Sequence, residues 1–417
     1  MKKVVKKIAL LLLVFGIGVG VTLLYMNNKY KVYEEEEPKQ IKKHVDTISM
    51  MLETEAGSGN YEMTTASSWP TEGYVFNSEL SVCENGGELS WDDENKRVLM
   101  SGNVSDKCYV YFDIKPQVLL ADYVKSLYTG TQGENSIYYH DANLTNGAGD
   151  NSYRYAGANP NNFVCFGTNT TPCPTDNLYR IIGVFGNQVK LIKYDYATSA
   201  LLGTDGDYKG TGTPNASYYK GELTTINTYY WNNSTKKNTW SESLLNKTNL
   251  NTNFINNIGT EWANKIATTT WKVGGNTYAN IRNVIPATAY QNEIVNPVTT
   301  NTTDNATEYS AKIGLMYVSD YGFGADPSAW TTTLYNYDGS VNGSTIRSLN
   351  WMHMGYYDWT ISRLADLSDR AFYVYFDGYV KYSSVYNDFA VRPSFNLESS
   401  ITYASGSGTQ SDPIRIN

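Results

Sequence analysis

Residues 8–26 of this 417-residue chain read IALLLLVFGIGVGVTLLYM, nineteen positions without a charge. A helix of that length rises about 28 Å, close to the roughly 30 Å of a bilayer's hydrocarbon core. Lys2, Lys3, Lys6 and Lys7 precede the run and Asn27-Asn28 follow it, an asymmetry that keeps the N-terminus cytoplasmic. A cleaved signal peptide would show a shorter apolar core and a small-x-small site, and neither is present. The expectation is a single-pass protein of the cell membrane, with residues 1–29 as start and anchor and the bulk of the chain extracellular. Gly16 and Gly20 add a weak GxxxG signal.

Residues 30–56 read as a helical stalk. Ile41, Val45, Ile48 and Leu52 recur at steps of four, three and four, one stripe on a helix. Such a stripe needs a partner, so anchor and stalk together allow self-association. Polar residues 57–72 form a linker, residues 73–115 a small β unit and residues 116–129 a connecting helix. The main domain then covers residues 130–417.

Four cysteines in an exported chain predict two disulfides. Of the three pairings the local ones are preferred, Cys83 with Cys108 and Cys165 with Cys173. Within the main domain, residues 178–193 (LYRIIGVFGNQVKLIK) predict a hairpin turning at Gly186-Asn187. A second hairpin is expected around Asp377-Gly378, a helix over residues 241–266, and a core strand over residues 312–321. Few helices, short strands and long polar loops predict an α+β fold.

Net charge is −8, and basic residues beyond the N-terminus come only in short clusters, which excludes a nucleic-acid partner. The 36 tyrosines exceed what base rates predict. Codon bias and ordinary strand composition account for most of them. The sharper reading is a recognition surface, because tyrosine offers amphipathic area with little rotamer entropy to lose.

The combination Asp358-Trp359-Thr360, Asp377-Gly378 and Val391-Arg392-Pro393 resembles the C-type-lectin-like fold in its formylglycine-generating-enzyme form. The segments LYRIIGVF and KIGLMYVSDYGFG resemble uncharacterised membrane-anchored bacterial surface proteins. The likeness runs over about residues 178–397 and implies a loop-rich scaffold with a binding face. It does not carry the oxidase chemistry, which needs cysteines late in the domain, and none follows Cys173. Trp359 is then a core residue, Arg392 a buried charge bonded to loop carbonyls, and Pro393 a strand terminator.

Chemistry is sparse. His140 beside Asp141 would point away from it in a strand, and no GxSxG, HExxH or P-loop pattern occurs. Residues 141–150 and 205–207 carry Asp, Asn and Gly spacing that oxygen ligation of Ca²⁺ would use, but Asx turns explain them equally well. No cofactor or metal is expected. The candidate ligand-binding residues are Tyr321, Trp330, Trp351, Tyr356, Tyr357, Tyr382, Tyr386 and Asp388, with Trp359 as core. The favoured function is an extracellular binding module or adhesin for a glycan or protein. The competing readings are a glycan-active hydrolase with an unrecognised carboxylate pair and a structural surface-assembly subunit.

Overall fold

The computed structural model describes residues 47–71, 73–102, 106–297 and 307–417. They divide into two compact units, one ending at Pro116 and one spanning Gln117–Asn417.

The first unit holds a four-stranded sheet in the order Tyr61–Thr64, Thr47–Glu53, Lys107–Ile114, Tyr74–Cys83. Thr47–Glu53 runs parallel to Lys107–Ile114, pairing Met50 with Val110 and Leu52 with Phe112. This corrects the stalk, whose last residues are strand. Ile48 and Leu52 lie four apart, a step that serves both a helix face and a strand face, and Met50 between them completes the alternation of two. Met50, Val110 and Phe112 form the core with Leu52, Phe76 and Trp91 packed on it. Cys83 and Cys108 sit opposite each other on neighbouring strands and are disulfide-bonded.

In the second unit a sheet runs Ile313–Gly314, Ser394–Asn396, Gln188–Lys193, Leu178–Phe185, Ser152–Tyr155, Ile137–His140. Leu178–Phe185 and Gln188–Lys193 form the expected hairpin, with Gly186 at φ +61° in the turn. One row across this sheet pairs Arg154 with Gly183, Gly183 with Lys190, and Lys190 with Asn396. Residues paired across strands share a face, so two cations flank a position without a side chain. A Cβ at Gly183 would lie 2.3 Å from the Tyr153 carbonyl oxygen and 3.3 Å from Arg154 Cγ. Glycine is what lets the strands and the arginine meet there.

A separate sheet comprises Asp358–Arg363, Arg370–Val374 and Val380–Ser384. Its hairpin turns at Asp377-Gly378 through a wider loop than the two-residue turn expected, closed by the Tyr375 N–H on the Tyr379 carbonyl. The core strand expected over residues 312–321 is shorter. Ile313–Gly314 is strand, and Val318–Phe323 is helix because the Asp320 carboxylate accepts the Tyr317 N–H at 2.9 Å and caps its start. Helical structure over residues 241–266 breaks at Gly259, whose φ is +80°. Cys165 and Cys173 form the second disulfide.

The described chain is mostly β-sheet, 35% strand against 19% helix, which corrects the α+β expectation. The helical anchor expected over residues 8–26 and the stalk expected up to residue 46 fall outside the described residues. Among the described residues no helix is long and apolar enough to cross a membrane. The longest helical stretch among the described residues is Leu245–Phe254 followed directly by Ile255–Ile258, short of the roughly 20 apolar residues a span needs. The single-pass membrane localisation is therefore corrected: no described helix supplies an anchor. The two disulfides fit a protein that matures in an oxidising compartment.

Candidate functional site

The eight ligand-binding candidates separate by burial. Tyr321, Trp330 and Trp351 are buried, and each polar tip is spent on a backbone carbonyl: Tyr321 Oη on Gly378, Trp330 Nε1 on Ala325, Trp351 Nε1 on Tyr155. Large aromatics with satisfied tips are core residues, so these three present no ring face to a ligand. Asp388 accepts a hydrogen bond from Thr228 Oγ1 at 2.8 Å and ties two strands. Tyr382 stands across from Phe372 in the hairpin, and Tyr386 is exposed.

Tyr356 and Tyr357 are half-buried and do come together with rings the sequence reading missed. Tyr357 lies 5.3 Å from Tyr356, 5.1 Å from Tyr375, 5.7 Å from Phe376 and 5.2 Å from Phe389, centroid to centroid. Tyr375 stacks on Tyr379 at 4.7 Å, Tyr379 meets Tyr335 at 5.7 Å, and Phe376 meets Tyr218 at 5.0 Å. All these rings are half-buried, giving a continuous aromatic face on the second unit. The available signal was the density of aromatics flanking Asp377-Gly378, which the hairpin places at one tip.

Cations edge this face. Lys381 lies 5.6 Å from the Tyr375 ring centre, Arg347 5.3 Å from Tyr218, and Arg282 5.2 Å from Tyr335. Asp377 is raised from the usual carboxylate range by burial and then by the charge of Asp338.

Beneath lies a rigid support. Arg392 Nε bonds Asp358 Oδ2 at 2.6 Å and its Nη2 reaches the Met352 carbonyl at 2.6 Å, both residues being buried. Burial pushes Asp358 up to about 6 against the pull of Arg392. The Trp359 N–H bonds the Ala390 carbonyl and its indole N–H the Tyr229 carbonyl. His353 Nε2 lies 2.9 Å from the Phe376 carbonyl oxygen, and burial drives its pKa down to about 3, so it is a neutral strut.

The other chemical candidates are structural. His140 is buried, its Nδ1 accepts the Ala148 N–H, and burial holds its pKa well below 6.5. Asp141 closes an Asx turn with Asn143 and Leu144, and Asp150 is committed to Ser152 and Arg154. Asp207 accepts the N–H groups of Asn233 and Leu245. Among the described residues, the one group with metal-ligand proximity is Cys83, Asp106 and Cys108, whose two sulfurs are bonded to each other.

No family model, curated protein or solved structure matches this chain.

Proposed function

We propose that the second unit is an extracellular binding module whose tyrosine face, centred on Tyr357 and Tyr375, recognises a glycan, with a protein ligand as the alternative occupant. The observation that carries this reading is the unbroken run of half-exposed rings Tyr356, Tyr357, Tyr375, Tyr379 and Tyr335. Buried aromatics need no ligand to explain them, but rings held half in water by a rigid hairpin leave flat apolar area beside donors and charges. That combination suits sugar rings and protein anchors. The C-type-lectin-like scaffold is proposed with it, supported by the packing of Asp358, Trp359 and Arg392 directly under the face.

The test is a glycan array and a cell-surface protein screen with the full chain. A hit weakened by about tenfold or more by Tyr375→Ser and by Tyr379→Ser, with the thermal midpoint lowered by no more than a few degrees, supports the module. A screen without a hit, or a hit indifferent to both substitutions, removes it.

One observation favours a hydrolase as second reading: Asp377, raised by burial and by Asp338, sits on the same face. Paired carboxylates with one pushed up are the signature of glycoside hydrolysis. Among the described residues the three more deeply buried carboxyls that are raised, Asp207, Glu293 and Asp358, are enclosed and do not fit that role. Turnover of the captured glycan, abolished by Asp377→Asn with binding retained, would replace the module by an enzyme.

A further inference from the structure

A cleft of about 200 Å³ opens beside the sheet row that pairs Arg154, Gly183, Lys190 and Asn396, walled by Phe185, Trp271, Tyr290 and Tyr317. Lys272 stands on its lining, paired with Glu308. At the floor Lys190 Nζ bonds Asp320 Oδ2 at 2.5 Å, and both residues are more than nine-tenths buried. Lys190 comes from the strand Gln188–Lys193 and Asp320 from the helix Val318–Phe323. Rings shut water out: Nζ lies 4.4 Å from the Tyr317 centroid and 5.4 Å from that of Trp271. The tips of both rings are spent, Tyr317 Oη on the Lys272 N–H and Trp271 Nε1 on the Ala311 carbonyl. No ligand has a place here, but the enclosed pair has a reaction open to it.

The surroundings favour that reaction over a lasting ion pair. Two buried ions forgo their hydration, a cost that joining them into one neutral group removes. Burial lowers the Lys190 pKa against the pull of Asp320, which favours the free amine, the nucleophilic form. Oδ2 is one bond from the carboxyl carbon, so the amine starts near the roughly 3–3.5 Å from which attack proceeds. Arg154 Nη1 is buried, has no hydrogen-bond partner and stands 3.7 Å from Asp320 Oδ1. It is a donor held ready for charge that develops on that oxygen. Glu293 is fully buried next to the residue before Asp320: its Oε2 accepts from the Ser319 N–H and hydroxyl, and its Oε1 has no partner. Burial raises its carboxyl to about 7, so it releases and takes up a proton near neutrality, and its charge acts on Lys190.

We propose that Lys190 and Asp320 join in an intramolecular amide bond, made by the folded chain on itself. The Lys190 nitrogen attacks the Asp320 carboxyl carbon; a C–N bond forms and the Cγ–Oδ2 bond breaks. Oδ2 leaves as water with two of the three ammonium protons, one of them carried by Glu293. An ammonium and a carboxylate thus become one amide and one water, with charge conserved and no co-reactant needed. Oδ1 remains as the amide oxygen facing Arg154, and the cleft is the way out for the water. The product ties sheet to helix across 130 positions of chain. Closing so long a loop restricts the unfolded chain and so favours the folded one. The inference uses residues separate from the tyrosine face and does not rest on that reading.

The test is the mass of the full chain, purified, denatured and reduced. The expected value is one water molecule below that of the sequence, and peptide mapping should return a branched peptide joining the stretches that hold Lys190 and Asp320. Lys190→Met should show the full mass of its own sequence. That variant leaves Asp320 without its partner and can unfold, so Glu293→Gln is the second. It keeps an acceptor for Ser319 but no carboxyl proton, and should show full mass with cooperative unfolding retained. Full mass in the unaltered chain overturns the proposal, as does a water loss that maps elsewhere, such as to Asp377-Gly378. A branched peptide that persists in Glu293→Gln overturns the part given to Glu293.

Discussion

The tyrosine face and the charged cleft belong to the same unit but are built by opposite means. The face draws most of its rings from one hairpin and its neighbouring strand, residues 356–389, and leaves them half in water. The cleft gathers Arg154, Lys190, Trp271, Tyr290 and Asp320 from five distant stretches of chain and buries their charges. A half-wet ring can be removed at little cost to the fold. A buried ion cannot, since its partner is left charged in a low dielectric. The rings of the face are therefore separable from stability, and the charges of the cleft are bound up with it.

The largest effect that would break this contrast is at Asp320. Asp320→Asn removes the partner of Lys190 and the nearest anion to Arg154 Nη1. It should destabilise the second unit by about 4 kcal/mol in denaturant titration, the scale for an orphaned buried charge. A loss below about 1 kcal/mol would mean the cleft tolerates rearrangement as readily as a surface.

A smaller effect concerns Glu293, which is fully buried and accepts both the N–H and the hydroxyl of Ser319. Burial raises its carboxyl from 4.5 to about 7. The folded chain therefore holds this proton more tightly than the unfolded chain. Its contribution to stability is fully present below pH 4.5 and is lost as pH rises through about 7, a swing on the order of 3 kcal/mol. Glu293→Gln keeps an acceptor for Ser319 and cannot ionise, so unfolding free energy measured from pH 4.5 to 8 should flatten by that amount. An unchanged slope would show that Glu293 reaches water.

Legibility in the sequence divides along the same line of local against distant. The hairpin at Gly186-Asn187, the local disulfides and the core roles of Trp359 and Arg392 each follow from residues close in the chain or from one side chain's own chemistry. Ile48 and Leu52 misled because a step of four is even and fits strand and helix alike. Tyr321, Trp330 and Trp351 misled because aromatic density shows that rings are near one another and not which side faces water. The cleft was invisible for a stronger reason: its row depends on which strands pair, and no local pattern encodes that Gly183 lies between Arg154 and Lys190.

Tyr386 sharpens the comparison at its small end. It was a candidate ligand residue and remains exposed at 39%, yet it appears in none of the ring contacts that build the face around Tyr357. Its nearest charged neighbour over the ring is Lys236 at 5.7 Å, on a different loop. Its hydroxyl meets Ser384 and Arg370 at the surface. An exposed ring outside the aromatic network adds little to packing or recognition, so Tyr386→Ser should change stability by less than about 0.5 kcal/mol and leave ligand capture untouched. Tyr375→Ser, at a ring with several aromatic neighbours, should cost about 1 kcal/mol and remove capture. If Tyr386→Ser also removes capture, the ligand covers more of the surface than the connected rings. The boundary of the face would then be set by reach from the hairpin tip and not by aromatic contact.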